Sequence, residues 1–394
     1  MKIKKIVSIL LLVSLLTFVF AACGENKNNE TQTTTFTDMI GRNVEINTAS
    51  INRIVCIGAG ALRLYSYIGD MEKIVGAEDI DRNQDDADVT LFGAGGFKNI
   101  SRPYYDYNKD YLKTTVSVGL GGPRNQVAET EKIIAANPDL IISEYEDVEK
   151  ENKLQSDTKT PVITVKYGNN HNIFDETLFN SLTLLGKILN KESRANELIS
   201  FIKSSETELK EKVKDVNDDE KQSAYIGCIG NWGTQDILST NKNFALFNVS
   251  SVKNAVVSNI ELNSGKITLE KLVDIDPDVI FLDAAGINVF KNSDTYANKK
   301  NTILSLTAVQ NSNVYLQMPF NAYYTNIEVA LMDAYYIASI MYPEQYKDFN
   351  IETKSTEILK KFLGDKATYS LVKDMPLSFG GFQKITNLET FLGK

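Results

Sequence analysis

The stretch VAETEKIIAANPDLIIS begins with apolar residues at helical spacing and ends in a short apolar run. Val127, Ile133 and Ile134 predict one face of a helix, Pro138 ends it, and the apolar run predicts a buried strand. Residues 267–283, ITLEKLVDIDPDVIFLD, repeat the pattern with the proline 139 positions later. A helix, an Asn or Asp before proline and a buried strand form a unit of a parallel α/β sheet. Two copies therefore predict two lobes of related design.

The same apolar pattern predicts the other elements of both lobes. A hairpin over residues 36–46 turns at Gly41. In the first lobe we expect strands near Ile54, Ile74, Val116, Leu140 and Val162, and helices that start near Gly60 and Arg124. In the second lobe we expect strands near Tyr225, Val279 and Val314, and a helix from about Thr325 to Met341. RIVCIGAG and AYIGCIGNWG open the two lobes as equivalent strands, so Cys56 and Cys228 are predicted to be buried in separate cores without forming a disulfide.

Residues 174–213, between the two predicted lobes, carry apolar residues at helical spacing. Asn190 can end a first helix in a left-handed turn, and Glu192 begins a second helix that runs to Val213. At about 1.5 Å per residue, this second helix would be roughly 30 Å long. A helical rod therefore joins the lobes and limits them to a small hinge or rocking motion.

The first residues are typical of a secretory signal peptide, since lysines precede an apolar run from Ile6 to Phe20 and small residues follow it. The sequence FAACG resembles a bacterial lipobox, in which Cys23 is lipidated after cleavage. A single transmembrane anchor is the alternative, although the run is shorter than the roughly 20 residues that a bilayer span needs. The predicted divisions are a signal peptide at 1–22, a flexible tether at 23–35, an N-terminal α/β lobe at 36–173, an interlobe helical backbone at 174–214 and a C-terminal α/β lobe at 215–394.

Composition and charge exclude several classes of protein. The chain has 394 residues, of which 43% are hydrophobic and 24% charged, and its formal net charge is −9. About 360 residues after the signal peptide and tether are too many for one compact core and suit two domains. The acidic balance argues against nucleic acid or an anionic lipid surface as a partner, because those need basic patches. His171 is the single histidine, which excludes a metal site built from histidines.

Ligands of an open parallel sheet bind beyond the carboxyl ends of its strands, and the segments predicted there are rich in tyrosine. The candidate ligand-binding residues are Arg102, Tyr104, Tyr105, Tyr107, Arg124, Glu144, Tyr145, Tyr167, Asn231, Trp232, Asn321, Tyr323 and Tyr324. Tyr and Trp bind planar or bulky chelates with little loss of side-chain entropy, and Arg offers a fork for anionic oxygens. This mixture suits an anionic metal complex. A loop that packs on itself is the alternative for Tyr104 to Tyr107, and coordination of a bare ferric ion by tyrosinates with Glu144 is also open.

The order and spacing of four segments resemble the substrate-binding lipoproteins of ABC importers for ferric siderophores, haem and vitamin B12. The segments are FTDMIGRNVEI, RIVCIG, EKIIAANPDLII and the helical rod. The resemblance implies a class III periplasmic binding protein fold, in which two Rossmann-like lobes with parallel sheets are joined by a long rigid α-helix. It also implies a monomer without a cofactor, lipid-anchored at the outer face of the cytoplasmic membrane, as on a Gram-positive cell surface.

The resemblance assigns partners as well. It implies that Glu131 and Glu270, each seven residues before a proline, dock to the two subunits of a permease dimer that works with an ATPase. For both residues a solvated helix face is the alternative. The implied cargo is a ferric siderophore or related chelate, while cobalamin, haem or a metal oxyanion such as molybdate stays open.

A surface hydrolase is the alternative from another class of function. Gly58-Ala59-Gly60 lacks the G-x-G-x-x-G continuation of a dinucleotide site, and GLGGPRN lacks the Lys-Ser/Thr ending of a phosphate loop. No G-x-S-x-G elbow occurs in the sequence. With a single histidine, a catalytic triad is hard to assemble, so the sequence predicts a binding protein and no enzyme.

Overall fold

The computed structural model describes residues 33–82, 102–122, 127–168, 172–230, 235–257, 259–375 and 377–393. Some of the predictions fall outside these residues. They concern the signal peptide, Cys23 and most of the tether, together with Arg124, His171, Asn231 and Trp232. Within the described ranges, no helix combines the length and the apolar character needed to cross a membrane.

A hairpin opens the described part of the chain and confirms the predicted one. Its antiparallel strands are β1 (Thr34–Thr37) and β2 (Asn43–Ile46). Gly41 lies in the turn with a φ of 83°, in the left-handed region that glycine adopts without strain. The buried ion pair between Asp38 and Arg42 closes the turn at 2.8 Å. Arg42 also donates to the carbonyl oxygen of Val162 at 2.6 Å, which ties the hairpin to the first sheet.

The first sheet is parallel throughout. Its strands are β3 (Ile54–Ile57), β4 (Ile74–Ala77), β5 (Val116–Ser117), β6 (Leu140–Ser143) and β7 (Val162–Thr164). The helices around it are α1 (Ala61–Ser66), α2 (Asp79–Arg82), α3 (Pro103–Leu112), α4 (Thr130–Ala136) and α5 (Val148–Thr158). The strand order is β5-β4-β3-β6-β7. The inner strands β3 and β6 are buried along their whole length, which explains why their sequences are continuous apolar runs.

Two helices follow the first sheet and form the predicted rod. They are α6 (Glu176–Ile188) and α7 (Glu192–Lys212). Asn190 lies between them with a φ of 55°, so the predicted left-handed turn is confirmed. α7 buries Leu198, Ile202 and Leu209, and these residues belong to an apolar cluster that extends from the first sheet into the second lobe. The rod is therefore part of a core that both lobes share.

The second sheet is mixed, with one antiparallel strand at its edge. Its strands are β8 (Ser223–Gly227), β9 (Lys253–Asn254), β10 (Val279–Asp283), β11 (Val314–Gln317) and β12 (Gln383–Ile385). Its helices are α8 (Ala245–Val249), α9 (Leu269–Ile275), α10 (Ile287–Lys291), α11 (Asp294–Leu304), α12 (Thr307–Gln310), α13 (Ile327–Met341), α14 (Ile351–Leu363), α15 (Tyr369–Lys373) and α16 (Leu388–Gly393). Short 3₁₀ turns lie at Thr48–Ser50, Met71–Lys73, Asp218–Glu220 and Ala284–Gly286. The order is β12-β11-β10-β8-β9, with β12 antiparallel to β11. Two separate sheets joined by helices confirm the predicted α/β fold class.

The repeated Pro-Asp segment has the same structural role in both lobes. Asn137 and Asp276 end their helices in the left-handed conformation, with φ of 48° and 39°. Asp139 then accepts hydrogen bonds at 2.9 Å from the backbone N–H groups of residues 52 and 53, just before β3. Asp278 accepts bonds at 2.7 Å from the N–H and hydroxyl of Ser223, at the start of β8. Each aspartate therefore holds the first strand of its lobe beside the repeat strand.

Two sequence predictions in the first lobe were wrong. The tyrosine-rich segment that we expected to be a loop forms α3, because Pro103 suits the first turn of a helix and its tyrosines recur at helical spacing. The helix expected to start near Arg124 begins at Thr130. Val127, which the helical pattern included, lies before that helix and is 62% exposed. Apolar spacing alone did not distinguish the helix from the extended residues that lead into it.

Cys56 and Cys228 are both buried and unbonded to each other. Cys56 lies in the apolar cluster of the first sheet and rod, whereas Cys228 lies in a second cluster around β10 and β11. The predicted absence of a disulfide between them is confirmed.

Candidate functional site

A glycine turn at the carboxyl end of β3 shapes the candidate site. Gly58 and Gly60 have φ of 85° and 82°, which favours glycine at both positions. A Cβ atom at Gly60 would lie 2.5 Å from the hydroxyl of Tyr167, so only glycine lets that ring pack against the turn. The turn leads directly into α1, which carries Arg63.

A pocket lies beside this turn and receives residues from both lobes. Its volume is about 290 Å³, and it is lined by Glu144, Tyr145, Glu146, Asp147, Lys150 and Tyr324. Tyr324 comes from the segment between β11 and α13 and is 37% exposed. Its ring stacks on Tyr167, with ring centroids 4.9 Å apart and planes inclined by 11°. The remaining lining residues follow β6 of the first lobe.

Glu144 is the most buried acid of this pocket. It is 4% exposed, and its Oε1 atom has no hydrogen-bond partner. Burial raises the pKa of Glu144 well above its usual range, and the charge of Glu146 adds to the effect. The hydroxyl of Tyr324 and the ammonium of Lys166 oppose the shift. Loss of hydration at this buried position therefore opposes ionisation of the Glu144 carboxyl group.

Glu78 joins the two lobes from the end of β4. It accepts hydrogen bonds from the hydroxyl of Tyr145 at 2.6 Å, from the hydroxyl of Tyr323 at 2.7 Å and from the N–H of Gly58 at 3.1 Å. Tyr323 belongs to the second lobe, so its bond spans the interface. Burial raises the pKa of Glu78 to about 7, although the hydrogen bonds from both tyrosines oppose the shift.

Arg63 forms several hydrogen bonds to the second lobe. Its guanidinium is fully buried and donates to the carbonyl oxygens of Ala322, Tyr323 and Thr325 at 2.5, 2.9 and 3.2 Å. It also donates to the hydroxyl of Tyr167 at 3.3 Å. Nearby, Tyr67 donates to Glu328 of α13. Sequence reasoning missed both Arg63 and Glu78, although a lone Arg in the apolar helix after a glycine turn, and an acid directly after β4, were visible signals.

Arg102 and the predicted tyrosines of α3 do not line the pocket. Arg102 forms a buried ion pair with Asp81 at 2.9 Å, and Tyr104 donates to the same carboxylate. The Tyr105 ring lies 5.1 Å from the Arg102 guanidinium, and Tyr107 packs against the apolar core. These contacts favour the packing alternative for the segment.

The other predicted ligand residues divide into three groups. Glu144, Tyr145 and Tyr324 line the pocket, while Tyr167 and Tyr323 lie directly behind it. Asn321 donates to the carbonyl oxygen of Gly230 at 2.8 Å, at the carboxyl side of β8. The positions of Arg124, Asn231 and Trp232 lie outside the described residues.

The phenols near the pocket are protonated when no cargo is bound. Burial raises the pKa of Tyr145, Tyr167 and Tyr324, so their hydroxyls are neutral hydrogen-bond donors. In the part of the chain that the structure describes, no group of three or more His, Cys, Asp or Glu residues is placed to hold a metal ion.

The predicted docking residues occupy equivalent positions on the two lobes. Glu131 and Glu270 are exposed in the first turns of α4 and α9. Three residues later, each helix exposes a β-branched apolar side chain, since Ile134 is 50% and Val273 37% exposed. Both lobes thus present one acidic and one apolar side chain in the same order.

Comparison with curated proteins finds relatives among transport lipoproteins. The chain is 28% identical over 215 residues to the Fe(3+)-citrate-binding protein YfmC of Bacillus subtilis, which covers 53% of this chain and 64% of that protein. It is 27% identical over 176 residues to the uncharacterized ABC transporter substrate-binding lipoprotein YvrC of the same organism, covering 44% of this chain and 54% of that protein. The matches therefore span less than two thirds of either relative.

Solved structures share the fold at low sequence identity. A periplasmic solute binding protein from Veillonella parvula aligns with a TM-score of 0.65 and 20% identity, over 89% of this chain and 98% of that one. The molybdate-bound periplasmic binding protein MolA from Haemophilus influenzae aligns with a TM-score of 0.60 and 18% identity, over 85% and 99% of the two chains. The family model for periplasmic binding proteins matches residues 54–316. Because that match covers most of the chain and the fold agrees with it, this protein belongs to the periplasmic binding protein family.

Proposed function

We propose that this protein captures an iron complex, a ferric siderophore or a related chelate, and delivers it to the permease of an ABC importer. The observation that carries the proposal is the pocket that Glu144 of the first lobe and Tyr324 of the second lobe form together. Cargo bound there contacts both lobes at once, as a carrier that releases its solute by a small lobe movement requires. Iron is favoured over other cargo because YfmC, the relative named above, is a ferric citrate binder.

The proposal includes the division of the chain predicted from sequence. The N-terminal lobe at 36–173 and the C-terminal lobe at 215–394 flank a helical backbone at 174–214. The continuous apolar core through α6 and α7 supports a stiff connection, since the lobes cannot separate widely without exposing it. We therefore expect a solute carrier that rocks slightly and performs no chemistry on its cargo.

The proposed location is the outer face of the cytoplasmic membrane, with Cys23 as the lipid anchor and residues 23–35 as a tether. The support is the lipobox-like sequence before Cys23 and the description of YvrC as a lipoprotein. Mass spectrometry of the protein extracted from membranes would reveal a diacylated N-terminal cysteine, and a free Cys23 thiol in the mature protein would contradict this part of the proposal.

Docking to the permease is proposed to use both lobes. The exposed pairs Glu131 with Ile134 and Glu270 with Val273 form two small surfaces of the same chemistry. A permease dimer related by two-fold symmetry offers two equivalent basic sites, which such a duplicated surface complements. The acid would guide approach and register, and the apolar neighbour would add contact area.

The cargo can be identified through the single tryptophan, Trp232, which follows β8. Ferric siderophores, ferric citrate, haem, cobalamin and molybdate are added separately to the purified protein while its fluorescence is recorded. We expect saturable quenching by at least one iron chelate at micromolar concentration or below. Saturation by cobalamin, haem or molybdate with no response to iron chelates would replace the iron assignment while keeping the transport role.

A further inference from the structure

The pocket at the end of β6 has a chemical character that indicates one class of ligand group. We propose that it recognises a positively charged organic group, an ammonium or guanidinium, on the cargo. This inference rests on the proposed function, because it names the part of the cargo that enters the pocket. It also differs from the anionic metal complex that the sequence predicts.

The charges of the pocket support a cationic ligand group. Its described lining includes three acidic side chains and one basic one. Glu146 is already paired with Lys166 at 2.5 Å, and Asp147 caps α5 by accepting two backbone N–H bonds at 3.1 Å. Lys150 lies 3.6 Å from Asp147. Glu144 is therefore the acid whose charge is left for a ligand to match.

The unpaired oxygen of Glu144 is the second observation that indicates a ligand. The residue is 96% buried, since 4% of it is exposed, and its Oε1 atom has no hydrogen-bond partner. A buried carboxyl oxygen without a partner is unfavourable, and a cationic N–H group is the donor that would satisfy it best. An anionic group at the same place would form no favourable interaction with this oxygen.

The tyrosine pair adds an aromatic face beside the carboxyl group. Tyr324 stacks on Tyr167 through one face, is 37% exposed, and its hydroxyl lies within hydrogen-bonding reach of the Glu144 carboxyl. An ammonium or guanidinium group is attracted both to the face of an aromatic ring and to a carboxylate. Both groups line the same pocket.

Arg63 is a positioning residue for that aromatic face. Tyr323 and Tyr324 have φ of 52° and 66°, a backbone conformation that residues other than glycine rarely adopt. Arg63 donates to three carbonyl oxygens of the same segment, from Ala322 to Thr325, and so holds it in place. Arg63 itself is fully buried and does not line the pocket.

The experiment uses a matched pair of small probes, n-butylammonium and n-butanol, with the purified protein in ligand-observed NMR titrations. We expect n-butylammonium to bind at least about tenfold more tightly than n-butanol, because only the former carries charge. Glu144→Gln should abolish that preference, while the matched control Glu149→Gln, at an exposed position on α5 outside the pocket lining, should keep it. Tyr324→Phe should retain most of the preference and Tyr324→Ala should lose it.

Two outcomes would overturn the inference. Equal affinity for the two probes in the wild-type protein is one, and a preference for n-butylammonium that survives in a folded Glu144→Gln protein is the other. Gln preserves the shape of Glu, and an unchanged thermal melting curve would confirm that the variant is folded.

A second arm separates this inference from the proposed function. A ferric trihydroxamate with one free primary ammonium, its N-acetylated form and ferric citrate are compared through Trp232 fluorescence. Binding of ferric citrate with no preference for the ammonium chelate would leave the iron-carrier function in place and reject the cationic pocket. Binding of n-butylammonium that depends on Glu144, with no iron chelate bound, would keep the pocket and reject the iron cargo.

Discussion

Glu144 and Asp283 occupy the same place in the two copies of the repeat, each five residues after the aspartate that follows the proline. Glu144 lines the pocket between the lobes. Asp283 is fully buried, caps the N–H of Ala285 at 2.9 Å and leaves its other oxygen without a partner. The Pro-Asp segment therefore has the same structure in both lobes, whereas the acid at the end of the repeat strand has different surroundings in each.

The neighbours of the two acids explain the difference. β10 pairs with β11 so that Asp283 lies beside Gln317. Both residues are buried, as is Asp333 of α13. Tyr324 from the other lobe instead covers Glu144 while leaving an open pocket beside it. The repeat thus determines the position of an acid in each lobe. The segments that pack over that acid determine whether a ligand can reach it.

The largest expected effect tests whether the two lobes are equivalent in docking. Glu131→Ala together with Glu270→Ala should lower uptake by about 100-fold, because each of the two proposed ion pairs with the permease would be worth about 1.5 kcal/mol. Each single variant should lose about tenfold on the same scale. Uptake of labelled cargo by cells measures the loss, and cargo affinity of the purified variants should stay unchanged. Uptake that persists in the double variant would contradict the docking assignment, and Glu352→Ala, exposed on α14, serves as the control.

Replacing Arg63 tests the contact between the lobes. Arg63→Met should lower the free energy of unfolding by about 3 kcal/mol, because three backbone carbonyl oxygens of the second lobe would lose a buried donor. Arg53, which bonds carbonyl oxygens of its own lobe at an exposed site, is the matched control, and Arg53→Met should cost at most about 1 kcal/mol. Urea unfolding measures both values. Equal losses would show that the interlobe bonds add no more than an exposed contact within one lobe.

The ionisation of Asp283 should make the free energy of unfolding depend on pH. Burial raises its pKa to about 8 in the folded protein, above the value in the unfolded chain. Its contribution is therefore fully present below about pH 4 and is lost as the pH rises towards 8, by up to about 1.4 kcal/mol per pH unit. Asp283→Asn should flatten the curve of unfolding free energy against pH in that range. An unchanged curve would mean that Asp283 stays charged in the folded protein.

The smallest effects test the Pro-Asp segment that occurs in both lobes. Asp139→Ala and Asp278→Ala should each lower the free energy of unfolding by about 1 kcal/mol, since each removes two hydrogen bonds at a partly or fully exposed site. The double variant should lose the sum of the two single values, because the two aspartates hold strands of different sheets. Chemical denaturation would measure the three values. A markedly larger loss of unfolding free energy for one single variant would show that the repeat does not stabilise both lobes equally.

The fold was readable from sequence wherever burial imposes a pattern. β3 and β6 are continuous apolar runs because parallel strands are covered on both faces, and the repeat showed where each sheet has its centre. β9, by contrast, is a pair of polar residues, Lys253 and Asn254, that join the sheet through backbone hydrogen bonds. No side-chain pattern reports such an edge strand. The sequence prediction missed α3, although its tyrosines recur at helical spacing.

The site was only partly readable, because its contacts join residues that are far apart in the chain. Glu144 and Tyr324 could be proposed from their places near strand and helix ends, and both line the pocket. Arg63 could not be paired with the segment around Tyr323, which lies 260 positions away. A sequence shows that a charged side chain sits among apolar neighbours, whereas its partner depends on how the two lobes meet.

The burial of Cys56 and Cys228 has a practical consequence for watching this protein move. Burial raises the pKa of both thiols well above their usual range, and a thiol that does not ionise reacts slowly with alkylating reagents. In a soluble form without Cys23, cysteines introduced on the surface of each lobe could therefore carry fluorescent or spin labels with little background from the native thiols. The distance between such labels, with and without cargo, would report directly how far the lobes travel.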